Sequence, residues 1–453
     1  MPRQILIVGA GIAGLASAIA LSKDLESAGS DVQIAVFEGA SEETTSGGAI
    51  SLTPAAQQGL DTLGVLATLN AMESHAGIEV DAIDLISLRS GHPLGPLRFT
   101  DEKGDGYGGY KGRRVLRRAL SQAMLTVART RPNIAVHYNK KLISGTTTTT
   151  GPVTLHFEDG SVATGDLVLG CDGVHSATRT RIVDPGNTSR YTGISFIQSV
   201  LDARQLKAGL PFAQTAVHLG RNSTLLTSFC DQAHESVFVA AITRVNEHLV
   251  ERYQAAAAAA PADSMSMSIR HLVRTHFGQT PLDYVREIID KIEDWGLYPV
   301  YQVRQSGSWH TDRILLLGDA AHAMPPRDES AAYAIEDALL FSQLLAHRQS
   351  NEPLSTVFDE YESVRRPTIN QAFDASSRLW QSDFDRGLYP GQIRDLLAPV
   401  APPSAVPPGG NAAAPVSANQ AGLPAPAHQS FSDLSVYSLT RELDPGMLEK
   451  ERQ

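Results

Sequence analysis

Cysteine is scarce in this sequence, and excess positive charge and long apolar runs are absent. The chain of 453 residues contains two cysteines, Cys171 and Cys230, so a disulfide framework is excluded and a reducing compartment is favoured. Its 49 acidic residues outnumber 38 Lys and Arg, giving a net charge of −11. This balance argues against nucleic-acid binding, which needs concentrated positive charge. The apolar runs are shorter than the roughly 18–20 residues that span a bilayer.

The start of the chain and its histidines further narrow the classes of protein to which this sequence could belong. The segment MPRQILIVGAGIAG has no apolar core or cleavage site of the signal-peptide type, and we expect no such leader. The 14 histidines show no spacing typical of metal ligands, so we expect no bound metal. We therefore predict a cytoplasmic protein without nucleic-acid, membrane or metal partners. At about 150 residues per domain, the length suggests about three domains.

A glycine-rich turn near the N-terminus predicts a nucleotide site. The surrounding composition predicts a strand over residues 4–8, a helix over 15–21 and a strand over 32–37. Gly9, Gly11 and Gly14 form a GxGxxG motif between the first strand and the helix. Such glycines permit a tight turn, close approach of a pyrophosphate, and close helix–strand packing. Glu38, directly after the second strand, is placed to accept hydrogen bonds from a ribose diol.

A second GxGxxG, at residues 104–109, lacks this context. It follows a charged segment and precedes Tyr110 and Lys111, with no strand before it and no helix directly after it. We interpret it as a flexible loop, because the motif binds a dinucleotide only between a strand and a helix. The sequence therefore predicts one dinucleotide-binding fold.

Two acidic turns follow predicted buried strands farther along the chain. The strand over residues 167–169 runs into Asp172-Gly173, with Arg179 following, and the strand over 314–317 runs into Gly318-Asp319. An aspartate at the end of a buried strand is suited to bind a polyol hydroxyl, and the small residues after Asp319 allow close approach of a ligand.

The remaining pattern predicts further elements. We expect a helix over 114–128, a β-meander over 135–138, 153–157 and 161–163, a separate antiparallel sheet including 194–200, 224–229 and 236–243, a loop or frayed helix at 255–260, a long helix from near Ala331, and a linker over 399–427. Aromatic residues of this sheet, including Phe196, Phe229 and Phe238, are more typical of sheet core than of ligand contacts.

In this order the motifs resemble those of the single-component FAD-dependent aromatic hydroxylases, the flavin monooxygenase family of the para-hydroxybenzoate and salicylate hydroxylases. The matching motifs lie within residues 5–340, about three quarters of the chain. The resemblance implies an α/β protein: a Rossmann-like FAD-binding domain, an inserted antiparallel β-sheet substrate domain, and a C-terminal helical, proline-rich tail. The implied boundaries are 1–75, 106–185 and 304–370 for the FAD-binding domain, 76–105 and 186–303 for the substrate domain, and 371–453 for the C-terminal helix and tail.

The same resemblance implies cofactor contacts. Arg113 matches an arginine that contacts the cofactor, Asp172-Gly173 a motif implicated in both FAD and NAD(P)H binding, and Asp319 the residue on the ribityl chain. The full implied FAD-binding set is Gly9, Gly11, Ala13, Gly14, Glu38, Gly48, Ala49, Arg113, Asp172, Gly173, Gly318, Asp319, Pro326, Ser330 and Ala331. His322 is expected to pack or hydrogen-bond rather than to act as an acid or base, and no catalytic residue is identified.

The resemblance also implies the reaction. FAD is the resident cofactor, NADPH or NADH is a transient co-substrate, and O₂ forms a flavin hydroperoxide that hydroxylates or epoxidises an aromatic or polycyclic small molecule. The choice between NADH and NADPH stays open, as does that between monomer and homodimer. The Pro- and Ala-rich tail suggests a fungal, secondary-metabolism-type member. An oxidoreductase of the same fold without oxygen insertion is disfavoured by the combined acidic turns.

The sequence departs from the family pattern after Pro325-Pro326. A glycine-rich segment is expected there, but the chain has Arg327-Asp328-Glu329-Ser330. We expect Asp328 to point to solvent. If its carboxylate instead lies beside the flavin, it would oppose the negative charge of the reduced ring and slow or alter the redox chemistry. The alternative is an FAD-containing protein with altered or no redox turnover, such as a non-redox cyclase or a binding protein.

Overall fold

The computed structural model describes residues 3–42, 48–147, 151–220, 223–259, 263–325, 329–349 and 352–381. The expectations for Pro326, Arg327 and Asp328, and for the linker at 399–427, lie outside these residues. Among the described residues, no helix combines the length and apolar character needed to cross a membrane.

The strands are β1 Gln4–Val8, β2 Gln33–Phe37, β3 Ala49–Leu52, β4 Ile78–Val80, β5 Ala82–Ser87, β6 Pro93–Arg98, β7 Gly112–Leu116, β8 Ile134–His137, β9 Leu142–Thr146, β10 Val153–Phe157, β11 Val162–Gly165, β12 Leu167–Gly170, β13 Arg190–Asp202, β14 Thr215–Gly220, β15 Ser223–Phe229, β16 Ser236–Arg244, β17 Gly296–Gln302 and β18 Ile314–Leu316. The α-helices are α1 Ile12–Ser27, α2 Pro54–Thr62, α3 Val65–Asn70, α4 Arg117–Arg129, α5 Glu247–Ala259, α6 Asp263–Phe277, α7 Asp283–Lys291, α8 Asp319–His322, α9 Ser330–His347 and α10 Leu354–Gln381.

A five-stranded parallel sheet in the order β18-β12-β1-β2-β8 carries the predicted β-α-β unit. Its central strands are buried on both faces, as the Ile5, Leu6 and Ile7 side chains show. Such burial on both sides explains their nearly continuous apolar sequence. Helix α1 packs closely on the first turn because residue 14 is glycine: a Cβ there would lie 1.9 Å from the Gly9 carbonyl oxygen.

A seven-stranded sheet in the order β17-β13-β16-β15-β14-β5-β6 forms the second large layer. Its pairs are antiparallel except β14–β5, which is parallel. One face packs on helices α5, α6 and α7 through apolar side chains such as Val250, Phe277 and Ile288. The other face carries Leu226 and Phe238 and packs against the small sheet β3-β7-β4. The predicted separate antiparallel sheet is therefore confirmed for β13, β15 and β16.

Two local predictions were wrong. The helix expected from Arg114 begins at Arg117, because the preceding residues pair as β7 with β3 and β4. The meander expected to start at residue 135 consists of β9, β10 and β11, whereas β8 joins the parallel sheet beside β2. In both cases pairing with a strand distant in sequence overrides the local pattern. At residues 255–260, where a loop or a frayed helix was expected, the helix alternative holds, since α5 continues to Ala259.

The C-terminal part of the described chain consists of two helices. The long helix expected near Ala331 is α9, which packs along α1. Helix α10 has 28 residues, contains Pro367, and runs across the expected domain boundary at residues 370 and 371. The second GxGxxG segment, at 104–109, lies in turns and isolated bridges rather than in a strand–turn–helix unit.

Candidate FAD-binding site

A cavity of about 560 Å³ opens at the carboxyl ends of the parallel strands. The residues directly after β1, β2, β12 and β18 meet there, because parallel strands place these ends at one edge of a sheet. Of the predicted cofactor residues, the cavity is lined by Gly9, Gly11, Ala13, Glu38, Asp172, Gly173, Asp319, Ser330 and Ala331. Turns that are far apart in sequence thus form one site.

The first glycine turn brings the backbone to the cavity wall. Gly9 has a φ of +101°, and a Cβ there would lie 2.4 Å from the Cys171 carbonyl oxygen. Only glycine accepts that backbone angle and that close approach of the Cys171 backbone without strain. Gly11 is the N-cap of α1 and has open space where a Cβ would be. The free N–H groups and the dipole of α1 therefore face the cavity and suit a pyrophosphate.

Glu38 ties the glycine turn to the end of β2. Its Oε2 accepts a hydrogen bond from the Ala10 N–H at 2.8 Å, and its Oε1 accepts one from the Ala40 N–H at 2.8 Å. A carboxylate has about four acceptor positions, so both oxygens retain capacity for a ribose diol. The residue is thus held in place before any ligand arrives.

Asp172 lies on the turn after β12 and is held by its own loop. Its carboxylate accepts hydrogen bonds from Ser176 Oγ at 2.5 Å and from the Thr178 N–H at 2.9 Å. Burial raises the pKa of Asp172, and these hydrogen bonds act in the opposite direction. The following Gly173 has a φ of +73°, which favours glycine.

Arg179 connects this turn to the one after β18. Its guanidinium is fully buried and donates to the Val174 carbonyl at 2.6 Å and to the Ala320 carbonyl at 2.8 Å. Burial lowers the pKa of Arg179, partly offset by the charges of Asp172 and Asp184. The arginine that follows the Asp-Gly motif in sequence therefore acts as a brace between two turns of the site.

The Gly318-Asp319 turn needs glycine for conformational reasons. Gly318 has a φ of +59°, and a Cβ there would lie 3.0 Å from the Ala13 Cβ. Its N–H donates to Asp337 Oδ2 at 2.8 Å. Asp319 follows and lines the cavity, whereas His322 is buried beneath the turn and hydrogen-bonds Asp337 at 2.7 Å.

Several predicted contacts do not line the cavity. Gly48 packs on the seven-stranded sheet, where a Cβ would lie 2.4 Å from Phe238 Cε2. Arg113 donates from Nε to Gln57 Oε1 at 2.7 Å and from Nη1 to the Ala76 carbonyl at 2.9 Å. Burial lowers the pKa of Arg113, while the charge of Glu79 acts to raise it. The predicted residues away from the cavity are Gly14, Gly48, Ala49, Arg113 and Gly318, and Pro326 is outside the described residues. For these residues, as for those that line the cavity, contact with a cofactor stays a prediction.

Sequence reasoning missed the positive charge of the cavity. Arg117, Lys140, Lys141 and Arg181 line it. They come from the start of α4, from the loop before β9 and from the short helical segment Arg179–Val183, and no motif marks any of the four. Lys140 is paired with Asp159 at 2.5 Å. The arginines that recur around residue 117 were the sequence signal from which this positive charge could have been predicted. Together with the N-terminus of α1, these cations make a donor set suited to a phosphate-bearing ligand.

His175 is a further cavity residue that the motifs did not single out. Its ring contacts Tyr301 edge-on at 4.5 Å between centroids, and its Nδ1 hydrogen-bonds Ser189 Oγ at 2.9 Å. Burial lowers the pKa of His175, and the nearby charge of Arg179 lowers it further. The residue joins the cavity to strand β17 of the seven-stranded sheet.

The observed donor set fits FAD: a glycine turn and cations for the pyrophosphate, Glu38 for a ribose, and Asp319 for a polyol chain. The FAD binding domain family matches residues 3–376. The chain belongs to this family. Its fold class and its FAD cofactor, with NAD(P)H as the usual co-substrate of such enzymes, are thereby confirmed.

Curated relatives cover most of the chain. The 3-amino-4-hydroxybenzoate 2-monooxygenase of Streptomyces platensis is 26% identical over 81% of this chain and 85% of its own length. The 3-hydroxybenzoate 6-hydroxylase of Klebsiella oxytoca is 24% identical over 86% of this chain and 91% of its own. Among solved structures, Klebsiella pneumoniae HpxO complexed with FAD and uric acid has a TM-score of 0.67 at 20% identity, covering 87% of this chain and 92% of that one.

These comparisons bear on the alternative of an FAD-containing protein with altered or no redox turnover. The relatives are named monooxygenases and hydroxylases, so a protein without redox turnover is not favoured. Among the described residues, no cluster of side chains is suited to a metal ion. Fungal origin stays a prediction.

Proposed function

We propose that the protein is an FAD-dependent monooxygenase that uses NAD(P)H and O₂ to insert oxygen into an aromatic or polycyclic small molecule. The observation that carries the proposal is the cavity at the strand ends, where Gly11, Glu38, Asp172 and Asp319 meet. When bound, FAD supplies the redox chemistry. The side chains of this protein bind and orient it.

The proposed cofactor pose follows from the donors around the cavity. The N-terminus of α1 and the cavity cations hold the pyrophosphate, Glu38 accepts from the adenosine ribose, and Asp319 accepts from the ribityl chain. Asp172 fixes its own loop through Thr178 and thereby shapes the cavity wall. This pose directs the flavin ring towards the small sheet β3-β7-β4 and the seven-stranded sheet beyond it.

We place the substrate against the face of the seven-stranded sheet nearest the small sheet. Phe196 and Phe238 lie there with Leu116 and Ala49 in one apolar cluster. Phe229 belongs instead to the core on the helix-covered face. An apolar wall excludes water and gives an aromatic ring a surface to pack on. The benzoate substrates in the names of two relatives support an aromatic substrate.

Three narrower expectations accompany this proposal. We infer a cytoplasmic location, a monomer or homodimer, and a substrate domain formed by residues 76–105 and 186–303. The pairing of β5 and β6 with the later strands of the seven-stranded sheet supports the last of these.

The test is an oxygen-transfer assay on the purified holoprotein. Flavin absorbance is followed under anaerobic NADH or NADPH, with and without 3-hydroxybenzoate, 3-amino-4-hydroxybenzoate and urate as probe substrates. Incubation under ¹⁸O₂ with mass spectrometry then detects incorporated oxygen. We expect flavin bleaching and a product heavier by one ¹⁸O atom. An FAD-loaded protein that no pyridine nucleotide reduces would refute the proposal.

A matched pair of variants assigns the activity to the cavity. Asp319→Asn removes a carboxylate that lines the cavity, while Asp312→Asn changes an exposed carboxylate before β18. We expect the first substitution to lower FAD content and turnover, and the second to leave both near the wild-type values.

A further inference from the structure

Asp337 of helix α9 is wholly buried beneath the turn formed by Gly318 and Asp319, here called the flavin-binding turn. Its Oδ2 accepts hydrogen bonds from the Gly318 N–H at 2.8 Å and from His322 Nε2 at 2.7 Å, and its Oδ1 accepts one from Arg365 Nε at 2.6 Å. Burial alone would raise the pKa of Asp337, but His322 and Arg365 hold it well below its usual range. Asp337 is therefore a carboxylate, and it fixes the Gly318 N–H in place.

The positively charged partner of Asp337 is Arg365 of helix α10. Arg365 also donates from Nη1 to Glu336 Oε2 at 2.8 Å and from Nη2 to the Tyr333 carbonyl at 2.9 Å. Burial acts to lower the pKa of Arg365, yet the charges of Asp337 and Glu336 raise it above the ordinary value. Arg365 therefore stays charged, and all three guanidinium nitrogens donate to α9.

The flavin-binding turn depends on the hydrogen bond to Asp337 because of its unusual backbone conformation. Gly318 sits at a positive φ of +59°, and the next residue, Asp319, lines the cavity. The position of the Gly318 N–H therefore sets the direction in which Asp319 leaves the turn. From the other side, Arg179 donates to the Ala320 carbonyl at 2.8 Å. Buried charged side chains therefore hold the backbone on both sides of Asp319: Asp337 accepts from the Gly318 N–H, and Arg179 donates to the Ala320 carbonyl.

We propose that Asp337 and Arg365 are positioning residues for the cofactor, which hold the Gly318 N–H so that Asp319 faces the cavity. Neither of them lines the cavity. Their contribution to FAD affinity passes through Asp319, and it makes cofactor binding depend on helix α10. The proposal rests on FAD binding and is independent of the substrate and of oxygen insertion.

The adjacent arginine provides a matched control. Arg366 lies on the same helix and donates to the Gln305 carbonyl at 2.7 Å and to the Gly307 carbonyl at 2.8 Å, with its guanidinium stacked 4.2 Å from the Trp309 ring centroid. It makes comparable polar contacts away from the flavin-binding turn. Substituting it reports the general effect of removing an arginine from α10.

The experiment compares FAD affinity and stability of the apoprotein. Apoproteins of wild type, Asp337→Asn, Arg365→Gln and Arg366→Gln are titrated with FAD by flavin fluorescence, and their Tm values are recorded. We expect the first two variants to bind FAD about tenfold more weakly than Arg366→Gln, because a buried charge-assisted contact is lost. Their Tm values should fall about as much as that of the control. FAD affinities within about twofold of the control would overturn the proposal.

A double-substitution cycle distinguishes positioning from a general loss of structure. If Arg365 acts through Asp319, Arg365→Gln should change FAD affinity by less than about twofold in an Asp319→Ala background. Additive losses would contradict the proposal. Should Arg365→Gln fail to fold, Arg365→Lys replaces it, with an expected loss of about threefold. An Arg365→Lys protein with the affinity of the matched Arg366→Lys control would also overturn the proposal.

Discussion

Acid should destabilise the seven-stranded sheet through one buried histidine. His218 on β14 is fully buried, with its Nδ1 at 3.0 Å from the Leu225 carbonyl oxygen and its Nε2 at 2.7 Å from the Tyr284 hydroxyl oxygen. A carbonyl only accepts, so Nδ1 carries the proton and Nε2 accepts from the Tyr284 hydroxyl. Burial lowers the pKa of His218 to about 4, although its bond to the Leu225 carbonyl acts to raise it.

The direction of the pH effect follows from proton binding. An unfolded histidine has a pKa of about 6.5, so between about pH 6.5 and pH 4 the unfolded chain binds more protons than the folded one. Stability therefore falls as the pH is lowered through this window. From His218 alone the loss reaches about 2 kcal/mol at pH 5 and about 3 kcal/mol below pH 4.

The assay is urea unfolding of the apoprotein at pH 8 and pH 5, for wild type and for His218→Gln. Glutamine does not titrate, so the difference between the two proteins isolates His218 from the other ionisable groups. The variant should be less stable by about 1–3 kcal/mol at pH 8, where the native histidine bonds are lost. That deficit should shrink or reverse at pH 5. A deficit that is equal at both pH values, within about 0.5 kcal/mol, would refute the reasoning.

Three further predictions concern the cofactor site. Gly14→Ala forces a Cβ to within 1.9 Å of the Gly9 carbonyl oxygen, so we expect a loss of about 2 kcal/mol or more in unfolding free energy and loss of FAD; retention of wild-type Tm and flavin content would contradict this. Glu38→Gln should weaken FAD binding about tenfold by fluorescence titration, because the ribose acceptor loses its charge, and an unchanged affinity would exclude that role. Arg117→Ala should weaken FAD binding about fivefold at low salt and less at high salt, whereas Arg118→Ala, exposed on the same helix outside the cavity, should not.

The sequence predicted the strand-end turns of the site because their chemistry is local. Gly9 and Gly318 adopt positive φ values, and Glu38 and Asp319 directly follow buried strands or their turns. Each of these demands restricts the residue type at a single position. The order of the motifs then pointed to the family that the comparison confirms.

The parts that sequence reasoning missed depend on pairing between distant segments. The helical spacing around Arg114 looked continuous, but β7 takes its first residues because β3 and β4 offer strands to pair with. The cavity cation Lys140 comes from the loop before β9 and Arg181 from the short helical segment Arg179–Val183, and the sheets bring these two segments together. Asp337 was not among the predicted site residues, and its partner Arg365 lies 28 residues away on another helix.

The site is therefore held by residues that do not line it. Its turns come from segments as far apart as Gly9 and Asp319 and meet only because the parallel sheet aligns the ends of its strands. Buried arginines then fix the turns: Arg179 directly, and Arg365 through Asp337. Bound FAD stabilises the folded chain by RT ln(1 + [FAD]/Kd). A substitution in this network should therefore lower holoprotein stability twice, once by removing the buried contact and again by raising Kd, so that the holoprotein loses more stability than the apoprotein does.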